Sequence, residues 1–307
     1  MKNKKSVFDQ PGFRLFLLTV PLLVLVFVFS YLPLFGWSYA FYDYRAGMKL
    51  ADTPFAGLKY FTSIFNSAYK LRDITRVMKN TLGMSFLGIL TSPLPMVFAI
   101  MLYEMRSQKY RRVVQTLTTL PNFISWVLVY SVAYAMFSIG DGFVNRMLMN
   151  LGWIDQEINF LASKNNVWLT MWAYSTWKSL GWNAVMYLAA LAGIDQELYE
   201  AARVDGAGRW NIILHIEIPG LLPTYFVLLL LSIANIINSG LEQYYVFSNP
   251  MNKASIEVLD LYVYNQGLAG NQIPYATAVS MLKSIVSLAL LTFANVSSKS
   301  IRGESIL

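Results

Sequence analysis

Residues 195–219 read DQELYEAARVDGAGRWNIILHIEIP, and this stretch decides the fold. Asp195 is placed to cap a helix that runs through Val204, because an Asp side chain accepts hydrogen bonds from the free N–H groups of a first helical turn. Asp205-Gly206 is a turn signal that ends this helix. The segment holds five of the 17 acidic residues of the chain, so we predict that it lies outside any apolar core.

The second half of the same stretch predicts another short helix, over about Arg209 to Ile216, with Trp210 and Ile213 on one side. Pro219 then stands where a new helix begins, because its φ is already helical and its missing N–H costs nothing there. The result is two short amphipathic helices at an angle to each other. Such an element is suited to docking in a groove of a partner protein.

The composition of the whole chain argues against a soluble protein. Among 307 residues 13% are charged and 56% are hydrophobic, and the mean hydropathy is +0.45; soluble proteins carry about 25% charged residues. Disorder is excluded by the hydrophobicity, and a disulfide framework by the absence of Cys. A single His, His215, leaves no basis for a His-based metal site. The net charge of +7 is explained by a bilayer, so no nucleic acid partner is predicted.

Six stretches are apolar over the roughly 20 residues that a spanning helix needs. They run over 15–40, 81–103, 113–137, 167–194, 220–239 and 275–296. The first is too long for a signal peptide and has no small-residue cleavage site, so we expect a retained helix. We predict an all-α integral membrane protein with a single six-helix domain over 15–296.

The basic residues predict the orientation. With the N-terminus inside, the inner segments hold 12 Lys and Arg in 59 positions and the outer segments hold 10 in 102. Because Lys and Arg concentrate in cytoplasmic loops, we expect both termini, 1–14 and 297–307, and the 195–219 loop to be cytoplasmic. The predicted location is the cell membrane, with lipid around the helices.

The 195–219 loop resembles the EAA loop of ABC importer permeases, whose pattern is E-A-A-x3-G-x9-I-x-L-P. The matching residues are Glu200, Ala201, Ala202, Gly206, Ile216 and Pro219, and the single departure is Ile218 in place of Leu. Asp205-Gly206-Ala207 is similar to the sugar-importer version of the motif.

The resemblance extends over nearly the whole chain, to LplB-type permeases within the maltose-type carbohydrate uptake family. The segments that carry it are 31–37, 41–44, 55–61, 80–82, 120–126 and Gly181-Trp182. It implies a type I ABC importer permease fold, a homologous second permease in a heterodimer, two cytosolic ATPase subunits, an extracellular solute-binding protein and an oligosaccharide substrate. The chain has no G-x-x-x-x-G-K-[ST] motif, so ATP and Mg²⁺ are expected on the ATPase and this chain is not itself an enzyme.

The resemblance also implies roles for the loop residues. Glu200 and Arg203 would be polar anchors in a groove of the ATPase, Ala201 and Ala202 would allow close contact, and Gly206 would allow the turn. The full set of predicted coupling residues is Glu200, Ala201, Ala202, Arg203, Asp205, Gly206, Ala207, Ile216 and Pro219.

Polar residues within the spans are candidates for the sugar pathway, because polar groups in hydrocarbon face a cavity or another helix. In the fifth span Ser232, Asn235, Ser239 and Glu242 recur on one helical face, with Asn238 near its edge. We interpret this face as pathway lining. A polar contact between helices uses the same residue types and is the alternative.

Further pathway candidates lie in two other spans. They are Asn122, Ser125 and Trp126 in the third span and Trp177, Lys178 and Trp182 in the fourth. A cation at membrane depth suggests a function, so Lys178 could bind an acidic sugar. Pairing of Lys178 with an acid, either Glu242 or one on the partner permease, is the slightly favoured interpretation.

Two other functions were weighed against the importer. A secondary transporter driven by an ion gradient would need no ATPase, but the spans hold few of the acids that an ion relay needs, and an EAA loop has no purpose there. A membrane-embedded enzyme is disfavoured because no HExxH, GxSxG or intramembrane Asp pair occurs.

Overall fold

The computed structural model describes residues 11–302, and these fold into α-helices with some 3₁₀ and π segments, joined by turns and loops, with no β-strand among them. The helices are α1 (Pro11–Val26), α2 (Lys59–Asn66), α3 (Ala68–Leu90), α4 (Leu94–Tyr103), α5 (Gln108–Thr119), α6 (Trp126–Phe137), α7 (Phe143–Asn150), α8 (Val167–Ala192), α9 (Gln196–Val204), α10 (Arg209–Ile212), α11 (Ile218–Ala234), α12 (Glu242–Phe247), α13 (Lys253–Ile256), α14 (Leu259–Tyr264) and α15 (Ile273–Arg302). The predicted cytoplasmic ends, 1–14 and 297–307, lie in part outside the described residues.

The chain divides into two compact units. Among the described residues, one contains 11–67 together with Asn265–Leu282, and the other contains Ala68–Tyr264 together with 283–302. Helix α15 therefore contributes its first turns to one unit and its remaining turns to the other.

Most of the predicted spans appear as long apolar helices. Within residues 11–302, four stretches are long and apolar enough to cross a membrane: Leu15–Phe41, Ala68–Tyr103, Arg209–Ala234 and Ile273–Lys299. A bent pair of helices in the third predicted span makes a fifth if it counts as one span. The fourth predicted span is α8, which has 26 residues but is more polar than these. The chain is thus a multi-pass membrane protein.

The third predicted span is bent where the sequence analysis had it continuous. Gln108–Phe123 and Trp126–Phe137 meet at 104°. Pro121 lies in the 3₁₀ turn before the bend, where the ring removes a backbone donor. The Ser125 Oγ then accepts the Leu128 N–H at 3.4 Å and caps the new helix. A proline followed by a serine cap therefore turns this span through a right angle.

The first predicted span keeps most of its apolar residues exposed. The most apolar part of Leu15–Phe41 has no buried residue. A helix that is apolar on all sides and exposed is suited to contact with the hydrocarbon core of a bilayer.

The Asp43 carboxylate joins two parts of the polar segment that follows the first span. The Lys59 Nζ lies 2.8 Å from the Asp43 Oδ1, and the Tyr60 hydroxyl donates to the same carboxylate. The hydrogen bond from Lys59, followed by that from Tyr60, lowers the pKa of Asp43 below its usual value.

Helix α8 packs at the centre of the other unit. At Gly181 a Cβ atom would lie 2.7 Å from the Thr119 backbone nitrogen, so only glycine lets α8 and α5 approach this closely. Two apolar clusters surround α8. One includes Met84, Val129, Met171, Phe247 and Ile256. The other includes Met96, Ala99, Leu188, Leu191 and Leu221.

Candidate functional site

The first half of the 195–219 loop folds as the sequence predicts. The Asp195 Oδ1 accepts the Glu197 N–H at 3.0 Å and caps α9, which ends at Val204. Gly206 has a φ of 74°, a conformation that costs other residues free energy. The predicted cap, helix and glycine turn are therefore confirmed.

The second half differs from its prediction. Helix α10 continues through a π-turn, Ile213–Glu217, into α11, so the loop ends within the helix of the fifth span. Trp210 is 75% exposed whereas Ile213 is buried, although their spacing of three residues places them on one side of the helix as predicted. The physical reason is that Ile213 packs in the apolar cluster of Leu188, while Trp210 stands outside that cluster.

Most of the predicted coupling residues form an accessible surface. Glu200, Ala201, Arg203, Asp205, Gly206 and Pro219 are exposed, whereas Ala202, Ala207 and Ile216 are half-buried. Val204 is 88% exposed and flanks the glycine turn together with Trp210. Neither residue is among the coupling residues predicted from the sequence. Large apolar side chains in an otherwise polar loop are the signal that could have identified them, because exposed Trp often anchors a protein interface.

Buried and charged contacts hold the loop against the cytoplasmic end of α4. Tyr199 is buried on α9, with its ring centroid 6.4 Å from that of Tyr103. The Arg209 guanidinium pairs with the Glu104 carboxylate, and its Nη2 donates to the Glu104 backbone carbonyl at 2.7 Å. The loop is thus connected to the second span as well as to the two spans that flank it in sequence.

A cavity of about 480 Å³ lies between α3, α8 and α11. Its aromatic lining is Trp172, Tyr187 and Tyr244, and no charged side chain lines it. The polar lining is Ser85, Thr91, Ser92, Ser175, Thr176, Ser179, Asn183, Ser232 and Asn235. Hydroxyl and amide groups both donate and accept hydrogen bonds, so this lining can bind the hydroxyl groups of a sugar. Helix α8 leads into α9 and α10 leads into α11, so the loop is continuous with two of the three cavity walls.

The predicted polar face of the fifth span is only partly present. Ser232 and Asn235 line the cavity, but Asn238, Ser239 and Glu242 do not. Helix α11 ends at Ala234, so the helical spacing that placed all five together fails beyond Asn235. The Asn238 Nδ2 instead donates to Asn235 and to the Ser287 Oγ, at 3.2 and 3.4 Å.

The candidates of the third and fourth spans meet each other outside the cavity lining. The Lys178 Nζ donates to the Asn122 carbonyl at 2.6 Å and lies 5.5 Å from the centroid of the Trp126 ring. Within this chain Lys178 therefore has a carbonyl partner and is not paired with Glu242, and its pairing with an acid on the partner permease stays a prediction. Ser125 serves as a helix cap, Trp182 packs edge-on against Phe123, and Trp177 is exposed.

Asn183 is a cavity residue that the predicted pathway set does not include. It follows Trp182 on α8, and an amide on a span is the signal that marks it. Among residues 11–302 no group of three or more His, Asp or Glu is arranged to hold a metal ion.

Comparison with known proteins places this geometry in a family. A family model described as "Binding-protein-dependent transport system inner membrane component" matches residues 91–303. Protein LplB of Bacillus subtilis (strain 168) is 36% identical over 293 residues, which is 95% of this chain and 90% of LplB. The polygalacturonan/rhamnogalacturonan transport system permease protein YteP of the same organism is 33% identical over 95% of this chain and 89% of YteP.

A solved structure has the same fold. In the crystal structure of a bacterial alginate ABC transporter in complex with alginate pentasaccharide-bound periplasmic protein, one chain superposes with a TM-score of 0.82. It is 32% identical, and the match covers 95% of this chain and 96% of that chain.

Proposed function

The chain belongs to the binding-protein-dependent transport system inner membrane component family, as an LplB-type carbohydrate ABC importer permease, and we propose that it forms half of an oligosaccharide translocation pathway. In this proposal it has six transmembrane helices, with both termini in the cytoplasm. A homologous second permease forms the other half, in a heterodimer.

One observation carries the proposal: the helices that flank the exposed loop also line the cavity. The exposed EAA residues lie on α9, in the turn after it and, for Pro219, at the start of α11, and α8 and α11 on either side of the loop line the cavity. A movement imposed on the loop would therefore move two cavity walls directly. This arrangement suits a protein in which ATP hydrolysis on a partner drives the opening and closing of a polar cavity.

The ATPase step lies outside this chain. We propose that two cytosolic ATPase subunits bind ATP and Mg²⁺ and hold the 195–219 loop in a groove. Glu200 and Arg203 would supply polar contacts in this groove, and Val204 and Trp210 would add apolar ones. Closure of the ATPase pair on ATP would then switch the cavity from inward to outward exposure.

The substrate assignment rests on the cavity lining and on the relatives. Nine hydroxyl or amide side chains with three aromatic rings suit the hydroxyl groups and apolar faces of a saccharide. YteP is named for polygalacturonan and rhamnogalacturonan, and the alginate transporter was crystallised with an alginate pentasaccharide on its periplasmic protein. We infer an oligosaccharide derived from a complex polysaccharide, delivered by an extracellular solute-binding protein.

The test is ATPase activity of the purified assembly. The chain is co-expressed with its second permease and ATPase, reconstituted in lipid, and assayed with and without sugar-loaded binding protein. The proposal predicts stimulation by loaded binding protein, and loss of stimulation in the Glu200→Ala/Gly206→Pro variant. A wild-type chain that never associates with an ATPase would overturn the proposal, and uptake driven by an ion gradient would be measured next.

A further inference from the structure

Two polar groups beneath the coupling loop are buried without hydrogen-bond partners. The Tyr199 hydroxyl and both carboxyl oxygens of Glu217 have no solvent exposure and no partner. Glu217 is fully buried at the end of the π-turn, and Tyr199 is 4% exposed on α9. Such groups are rare in folded proteins, and each one carries a cost in free energy.

Both groups belong to one cluster. Tyr199 and Glu217 lie close enough to interact electrostatically, and Tyr103 and Glu104 lie beside them. Arg209 is the cation that acts on Glu217, but its guanidinium is bound to the carboxylate and the carbonyl of Glu104. The cluster therefore contains one guanidinium, two carboxyl groups that could bind it, and a tyrosine hydroxyl that lies near the Tyr103 side chain but outside hydrogen-bond geometry.

The cluster joins the parts that the proposed function requires to move. Tyr199 belongs to α9 and Arg209 to α10, on the two halves of the loop. Glu104 follows α4, and Glu217 precedes α11. A displacement of the loop relative to α4 would change which carboxyl group Arg209 reaches.

We propose that Tyr199 and Glu217 are positioning residues for the coupling movement. When the ATPase displaces the loop, Arg209 leaves Glu104 and pairs with Glu217, and the Tyr199 hydroxyl donates to the Glu217 carboxylate. The unpartnered groups thus raise the free energy of the present conformation, and their pairing favours the other one. This inference rests on the proposed function and adds the second span to the elements that the loop controls.

The Tyr199→Phe variant should change ATPase activity without lowering thermal stability. Tyr199→Phe removes a hydroxyl that bonds nothing in this conformation, so thermal stability of the resting assembly should be unchanged or higher. The same variant loses a hydrogen bond in the displaced state, so ATPase activity stimulated by loaded binding protein should fall by roughly two- to tenfold. Tyr110→Phe, at an exposed position on α5, is the matched control and should change neither quantity.

Glu217→Gln supplies a second test, because an amide cannot pair with Arg209 as a carboxylate does. Stimulated activity should fall, and the Tyr199→Phe/Glu217→Gln double variant should lose less than the product of the two single losses, since both act on one bond. The experiment uses the reconstituted assembly with both permeases, the ATPase and the binding protein.

The outcomes distinguish this inference from the proposed function. Stimulated wild-type activity that Tyr199→Phe leaves unchanged would overturn the inference alone. A melting temperature that falls in step with activity would assign Tyr199 a purely structural role and would also overturn it. A wild-type assembly without stimulated activity would overturn the proposed function and this inference with it.

Discussion

Gly206 offers a sharp test of the loop geometry. A Cβ atom at Gly206 would meet nothing within 4 Å, so a small side chain fits there in space. The φ of 74° remains unfavourable for any residue with a Cβ, at about 1–2 kcal/mol. Since that range is a factor of about 5–30 in an equilibrium, Gly206→Ser should weaken binding of the ATPase to the permease by this factor.

The matched control is the same substitution two residues further along. Gly208 has a φ of −71° and precedes α10 as its cap residue, a position where Ser is favoured. Gly208→Ser should therefore bind the ATPase as the wild type does. Gly206→Asn should lose less than Gly206→Ser, because Asn tolerates the left-handed conformation better. Gly206→Pro should lose most, because it also removes the N–H that donates to the Arg203 carbonyl at 3.1 Å.

The assay titrates purified ATPase onto the permease pair in lipid nanodiscs and measures the dissociation constant. Equal weakening by Gly206→Ser and Gly208→Ser would refute the reasoning, because the two sites differ chiefly in backbone conformation. Wild-type affinity for Gly206→Ser would also refute it. In that case the loop would bind the ATPase without the turn seen here.

Three further predictions follow from other parts of the structure. Gly181→Ala should destabilise the protein by about 1–3 kcal/mol, seen as a lower melting temperature, because its Cβ would overlap the α5 backbone. Ser232→Trp should fill the cavity and abolish sugar uptake with the assembly intact, whereas Leu288→Trp, on an exposed face of α15, should not reduce uptake. The pKa of Asp43 is lowered in the folded state, so the ionised Asp43 carboxylate stabilises the folded 41–61 segment. This stabilisation is present above pH about 4 and is lost as the pH falls through the folded pKa. Asp43→Asn should abolish this acid dependence, which is measured by proteolysis of the 41–61 segment.

The loop was predictable because its signals are local. An Asp cap, a glycine turn and the spacing of the EAA residues each depend on neighbours within a few positions. Most of the spans were predictable for a similar reason, since apolar length alone indicates a helix in a bilayer. The same residues indicated the family, and the comparisons then confirmed the family.

The pathway residues were less predictable because they depend on tertiary contacts. The periodicity in the fifth span assumed a helix that continued past Asn235, but α11 ends at Ala234. The partner of Lys178 is a backbone carbonyl on the third span, and this carbonyl belongs to the 3₁₀ turn that precedes the bend. No pattern in the sequence reports a backbone carbonyl as a partner.

The buried cluster under the loop could not be predicted from the sequence either. Tyr199 and Glu217 look like ordinary members of a polar loop, and their burial arises from packing against the end of α4. The continuity of α10 with α11 likewise appears only in three dimensions, because Pro219 read as the start of a separate helix.

The central claim is that the loop controls the cavity, and thiol accessibility tests it most directly. The chain has no Cys, so Ser232→Cys places a single reporter of this chain on the cavity wall. With cysteine-free partner subunits, the account predicts labelling by a cytoplasmic thiol reagent without nucleotide and protection when a non-hydrolysable ATP analogue is bound. Adding Gly206→Pro should abolish that protection. Labelling that is the same with and without nucleotide would contradict the account. Nucleotide-dependent protection that persists in the Gly206→Pro variant would also contradict it.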